Sequence, residues 1–474
     1  MAQLERKLGL WASVSIVVGT IIGSSIFMKP ASMAALLGSP LMLLLVWIVA
    51  GVISLFGGMI NAEIGCLFPE TGGQYIYFRH MYGNFFAYLY GWASFIVINS
   101  ASIAGIAFVF AGYSEYFFHL PRFPPDIERA IPLVIPGIGK FYLLENIGVK
   151  GIAIGLILIF SWMNARSVKS SGFVQVFLSV LKVAALIILV GAIFLSGKGQ
   201  WSNLRTASAG FDPSFWVVLT SFIAASTGAL AAYDGWNNLG FVSGEIKDPQ
   251  KNIPRGLIIG IGICIILYVL TTEAFLYVLP IDIMKNSTLV ASDALYLVLG
   301  VAGGGFAALL VMVSTAGSTN GNIMPCARVI YAMGEEKNFF AFTGRVNEKR
   351  HTPANALWVQ AVWSSLLVLI GSFDMLFDMF VFITWIYYGF GAFGIFILRK
   401  RMPGAERPYR LKGYPYLPII FILFSVLYVV ITVYNDISSF LSGKSVIINS
   451  VFGLFLTAIG IPFYWYFKRK PAVD

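Results

Sequence analysis

Gly19-Thr20-Ile21-Ile22-Gly23-Ser24-Ser25-Ile26-Phe27 interrupts the first apolar run of the chain with two glycines and three hydroxyl side chains. In lipid every backbone N–H and C=O needs a partner. A helix broken at mid-depth is therefore tolerated only where it is buried in protein or lines a cavity. The stretch predicts a discontinuous membrane helix and half of a binding site.

The composition around it supports a membrane setting. Of 474 residues, 58% are hydrophobic and 11% charged, and the mean hydropathy is +0.81, values outside the range of soluble domains. The first segment is too long for a cleavable signal peptide, has no small-residue cleavage site and is followed at once by another apolar segment. Cys66, Cys264 and Cys326 all lie in apolar runs, which argues against a disulfide framework. The net charge of +10 is spread over short loops, so membrane topology explains it better than nucleic acid does.

Apolar runs near 20 residues long occur at 8–37, 41–67, 85–118, 147–165, 172–195, 215–241, 257–278, 294–333, 354–373, 375–398, 417–434 and 447–467. They are numbered here as segments one to twelve. Segments three and eight exceed the usual length and must tilt or project. With the N-terminus inside, 22 Lys and Arg fall on cytoplasmic ends, among them Arg79, Arg166, Lys251, Arg328, Arg399 and Arg407, and only 8 fall outside. The positive-inside rule then puts both termini in the cytoplasm.

A second break lies in segment six, at Ser226-Thr227-Gly228-Ala229-Leu230-Ala231-Ala232-Tyr233-Asp234-Gly235-Trp236-Asn237. Five crossings separate it from the first, so segment six runs opposite to segment one. Glycine-interrupted segments at corresponding positions of two inverted halves point to a transporter's binding site. The expected fold is all-α and polytopic: a first inverted repeat over 1–200 (segments one to five), a second over 201–412 (segments six to ten), then segments eleven and twelve over 413–474.

The runs 16–27 (IVVGTIIGSSIF), Asn61-Ala62-Glu63-Ile64-Gly65, Pro69-Glu70-Thr71-Gly72-Gly73-Gln74-Tyr75 and Tyr233-Asp234-Gly235-Trp236-Asn237, with Glu245, the stretch 248–254 and the stretch 318–328 followed by Tyr331, are in order along nearly the whole chain. Together they closely resemble the L-type amino acid transporters of the amino acid-polyamine-organocation superfamily. The resemblance implies the five-plus-five inverted-repeat, LeuT-like fold.

Physically, the half of segment one beyond Ser25 points free N–H groups and a positive dipole end at the cavity, which suits a carboxylate. The first half of segment six, ending near Leu230, offers carbonyls to an ammonium group. One amino acid zwitterion bridges the two ends. The resemblance implies carboxylate contacts at Thr20, Ser24 and Ser25, amine contacts at the carbonyls of Ile21, Ala231 and Asp234, and a site completed by Tyr233, Gly235 and Asn237. Two positions depart from the family pattern. Ser25 replaces the second glycine of a GSG motif, either crowding the ligand or adding a hydrogen bond, and Ala231 replaces an aromatic gate. The alternative reading of either break is a glycine-rich packing contact.

Lys182, about ten residues into segment five, is costly in lipid and so marks function by default. The resemblance implies that it takes the place of the sodium ion bound in sodium-coupled relatives, with Ser314 and Ser318 as possible neighbours. Glu63 reads as a structural or gating partner for loop cations. Glu273 reads equally as a proton or cationic-substrate site and as a carboxylate hydrogen-bonded near the outer surface. The acid of Asp234 reads either as part of the site or as no more than a cap for the helix restarting at Gly235. Asn320 and Asn322 either reach the cavity or bond between helices.

No cofactor or metal is implied, and no enzyme: His80, His119 and His351 lie in or near loops, and no HExxH or paired-aspartate pattern occurs. A channel would need a repeated pore motif. Residues 112–150 hold no cysteine, whereas animal members of the resembled family join a heavy chain through a disulfide there. The expectation is a stand-alone prokaryotic carrier in the plasma membrane, monomeric or weakly self-associating. It exchanges neutral L-amino acids without sodium, by alternating access of segments one, two, six and seven against three, four, eight and nine. A proton-coupled symporter and a cationic amino acid or polyamine carrier are the alternatives.

Overall fold

Runs without a polar interruption form continuous helices, because a membrane helix satisfies all its backbone groups internally. The computed structural model describes residues 8–68, 73–166, 168–346 and 352–469, with side chains except at 168–179, 241–245 and 469. The motif residues Pro69, Glu70, Thr71 and Gly72, the loop residues Arg6, Lys7, Lys349, Arg350, His351 and Lys470, and the side chains of Lys169 and Glu245 lie outside the described set.

Among the described residues nine helices are long and apolar enough to cross a membrane: Pro40–Leu67, Asn84–Ser114, Ile147–Arg166, Phe215–Gly240, Pro249–Val278, Val290–Glu335, Phe373–Arg401, Tyr416–Leu441 and Asn449–Lys468. Segment one makes a tenth span if its two arms, Leu10–Ile21 and Ser25–Leu37, bent by 48°, count together. Segments five and nine carry the shorter apolar helices Val180–Leu195 and Ala354–Ile370.

The long segments owe their length to local irregularity. Segment eight runs 46 residues but turns non-helical at Gly300, where φ is +68°, a conformation open to glycine. Segment three contains a π-helical turn at Ser94–Asn99, in which Ser100 Oγ donates to the Phe95 carbonyl five residues back. Segment seven begins earlier than its apolar run: Pro249 opens the helix just after Asp248, the first-turn position that proline tolerates. An unforeseen antiparallel hairpin, Pro132–Ile135 with Gly139–Tyr142, lies between segments three and four.

The chain gathers into two compact units. One comprises Met1–Tyr90, Gly199–Asn286 and Thr384–Ile431; the other comprises Gly91–Lys198, Ser287–Ile383 and Thr432–Asp474. In the first, segment seven packs on segments one and two, and segment six packs on segment two and the second arm of segment one. In the second, segment eight packs on segments three, four, five and nine.

Candidate functional site

Both breaks lie in the first unit, and each has a definite local cause. The first arm of segment one ends at Ile21, and Ile22 leaves the helix with φ −66° and ψ 102°. The helix resumes at Ser25 without a side-chain cap. The Oγ of Ser24, a residue 1% exposed, has no hydrogen-bond partner among the described residues. Ser25 is equally buried, at 4%. A helix start without a cap leaves its first N–H groups available to an anion.

Segment six differs from expectation. Its first helix does not stop near Leu230 but continues to Tyr233. Asp234 is extended, Gly235 takes φ +115°, and the chain restarts as a 3-10 run over Trp236–Glu245. The small residues Ala229, Ala231 and Ala232 pack well as helix, so the true punctuation is the one residue that accepts a positive φ.

The two breaks touch. Thr20 Oγ1, on an exposed turn, lies 3.0 Å from the Gly235 carbonyl as well as 2.8 Å from the Ile16 carbonyl. A Cβ on Gly235 would come within 2.8 Å of the Thr20 oxygen, so only glycine fits. Tyr268 of segment seven ties both ends: its hydroxyl lies 2.9 Å from the Ile21 carbonyl and 3.1 Å from the Ala232 carbonyl. Asp234 Oδ1 accepts a 2.5 Å hydrogen bond from the hydroxyl of Tyr388 in segment ten, and the ring of Tyr388 packs 4.7 Å from that of Trp236.

Thr20, Ile21, Asp234 and Gly235 thus converge with the carbonyl of Ala232, with Ser24 and Ser25 at the adjoining helix start, whereas Ala231 is a buried residue inside the segment-six helix. Asn237 follows them with a buried Oδ1 that has no partner among the described residues. Tyr233 turns its ring into the core of the unit. It is fully buried, with its ring edge-on to Trp47 and against Tyr268. Tyr268 and Tyr388 are the residues at the two breaks that the sequence reading passed over. Their signal was a phenol in an apolar run, since a buried tyrosine hydroxyl usually finds a partner.

Glu63 is 2% exposed and fully engaged. Arg399 donates Nε to Oε1 at 2.9 Å and Nη2 to Oε2 at 2.7 Å, Arg407 lies 3.5 Å away, and the Leu411 N–H donates to Oε2. Bidentate, charge-assisted bonds of this kind are strong and directional. Glu63 therefore fastens segment two to the loop after segment ten. Glu273 is half-buried, with no ion pair or hydrogen bond among the described residues.

In the second unit, Lys182 is 2% exposed and its Nζ stands 3.5 Å from Ser318 Oγ. Asn320 accepts from Asn164 Nδ2 at 2.9 Å, the helix-to-helix alternative for that residue.

A family model described as amino acid permease matches residues 8–459. The chain belongs to the amino acid permease family. It is 30% identical over 475 residues to the serine/threonine exchanger SteT of Bacillus subtilis, covering 99% of this chain and 98% of the relative. It is also 30% identical to the human b(0,+)-type amino acid transporter 1, over 90% and 82% of the two chains. With the rat large neutral amino acids transporter small subunit 2 the identity is 28%, over 99% and 82%. The L-type resemblance read from the motifs agrees with these relatives, and this permease is a multi-pass membrane protein.

Proposed function

We propose that this permease is a sodium-independent exchanger of neutral L-amino acids, working by alternating access. The observation that carries the proposal is the junction of the two breaks. The end of the first arm, at Thr20 and Ile21, and the end of the segment-six helix are held together through Gly235 and Tyr268, and the uncapped helix start at Ser24 and Ser25 follows three residues on. Opposite dipole ends brought together suit the carboxylate and ammonium groups of one zwitterion, whatever its side chain. The names of the relatives add amino acid transport and, for the bacterial one, exchange.

Twelve spans, with segments five and nine included, and a five-plus-five inverted repeat complete the reading. The gathering of segments one, two, six and seven into one unit supports their moving as a body. Lys182, buried beside Ser318, supplies a fixed cation in place of sodium. Both termini are cytoplasmic, the membrane is the plasma membrane, and the carrier works without a disulfide-linked heavy chain.

The test is uptake of a labelled amino acid into proteoliposomes with and without internal amino acid, in sodium and in choline, with all twenty amino acids as competitors. Exchange predicts uptake only into preloaded vesicles, unchanged by choline, and competition by neutral residues. Equal uptake into empty vesicles refutes obligatory exchange, and a sodium requirement refutes the role of Lys182.

A further inference from the structure

In the second unit, Phe95 of segment three, Phe342 of the 3-10 turn Ala341–Gly344 and Asn355, Trp358, Val362 and Trp363 of segment nine line a groove of about 390 Å³. The segment-nine residues recur at three- and four-residue intervals and so form one stripe of the helix. Trp358, Val362 and Phe342 are 39%, 55% and 45% exposed, so the groove is open along its length. Two hydrogen bonds brace its ends. Asn355 Nδ2 donates to the Phe342 carbonyl at 2.7 Å. Trp363 Nε1 donates at 2.7 Å to the carbonyl of Ile96, a residue of the π-helical turn in segment three. The fold therefore preforms the groove.

Size and charge select the occupant. From Asn355 to Trp363 the helix rises about 12 Å, which spreads the volume over a cross-section of about 30 Å². A helix with its side chains is about 10 Å across and needs more than twice that, so no span of another chain enters. Walls so apolar offer water too few partners. A flexible hydrocarbon chain fits, and four aromatic rings give it dispersion contacts. The Asn355 end of the groove is flanked by cations. Arg345 is the exposed C-cap of the 3-10 turn that carries Phe342. Thr352, two residues before the segment-nine helix, donates its hydroxyl to the Ala165 carbonyl at 2.9 Å, which sets the exposed Arg166 beside the start of that helix. The Arg166 guanidinium stacks on Trp162, a contact that leaves its in-plane N–H groups to an anion. Basic residues at the ends of membrane helices bind anionic headgroups. We propose that the groove seats one acyl chain of an anionic phospholipid, with the phosphate at the Arg166 and Arg345 end. The proposal stands whichever substrate the permease carries and whichever side of the membrane that end meets.

The experiment is photocrosslinking of the full chain in phosphatidylcholine vesicles that contain a minor fraction of phosphatidylglycerol with a diazirine in one acyl chain. The same label on phosphatidylcholine is the comparison, and adducts are mapped by mass spectrometry. The expected result is severalfold more labelling of Trp358 and Val362 by the phosphatidylglycerol probe than by the phosphatidylcholine probe. It also exceeds labelling of Leu423, a 63% exposed residue of segment eleven that reports bulk lipid. Val359→Trp puts a large ring on the groove wall and removes the excess at Val362, while an unchanged melting temperature reports an intact fold. Arg166→Gln combined with Arg345→Gln brings phosphatidylglycerol labelling down to the phosphatidylcholine level. Groove labelling no greater than that of Leu423, equal labelling by both probes in the wild type, or an excess that survives either variant overturns the proposal.

Discussion

A Cβ on Gly235 would stand 2.8 Å from the Thr20 carbonyl oxygen and 3.0 Å from its carbon, on a backbone with φ +115°. Both atoms are main chain, so no flexible side chain can give way. Gly235→Ala therefore forces the two breaks apart. The strained backbone costs about 1–3 kcal/mol, and losing the Thr20–Gly235 hydrogen bond adds about 0.5–1.5 kcal/mol. If the lower bound falls on the bound state, affinity drops at least about tenfold, at 1.4 kcal/mol per decade. Gly23→Ala is the internal control: the nearest atom to its Cβ is the Ile21 oxygen at 3.7 Å, an ordinary contact. Because that contact is ordinary, the change should leave stability within about 0.5 kcal/mol, so the control is read on the melting curve alone. The assay is the half-saturation concentration for exchange in proteoliposomes, paired with a melting curve in detergent. The reasoning fails if Gly235→Ala keeps both values, or if Gly23→Ala lowers the melting temperature as much.

Tyr268→Phe leaves the Ile21 and Ala232 carbonyls without their shared donor and should cost about 1–3 kcal/mol; substrate affinity and melting temperature both fall, and an unchanged pair of values removes Tyr268 from the junction. Glu63→Ala strands the Arg399 and Arg407 guanidinium groups and should destabilise by about 3 kcal/mol, the low end for a broken buried pair, because Arg399 is partly exposed; a melting temperature equal to wild type contradicts this. Lys182→Ala should nearly abolish exchange while the protein still elutes as a single species, and full activity excludes the lysine from the mechanism.

The sequence made the first break legible because Gly, Thr and Ser stand out against an apolar run. The same contrast misplaced the end of the first half of segment six. Alanines and glycines there looked like punctuation, yet helix tolerates them, and the chain turns at Asp234 and Gly235 instead. Spacing revealed the pairing of segments one and six, but not what joins them. Tyr268 and Tyr388 come from segments seven and ten, and no periodicity in the intervening chain says which side chain reaches a given carbonyl. Glu63 was visible as a buried acid seeking cations; that Arg399 would be its bidentate partner depends on a contact 336 residues away. The bend at Gly300 was visible only as excess length.

The first unit is assembled from three separate stretches, the last of them Thr384–Ile431. This has a consequence for biosynthesis. Segments one and two leave the ribosome first, yet Tyr388, which holds Asp234, and Arg399, which neutralises Glu63, are made after most of the chain. During that interval a broken helix and a carboxylate on segment two must wait in or beside the lipid without their final partners. Non-local closure of this kind slows folding and exposes incomplete species to misassembly. Truncation before residue 384 should therefore yield no stable fragment containing the first break, although every residue of that break would be present.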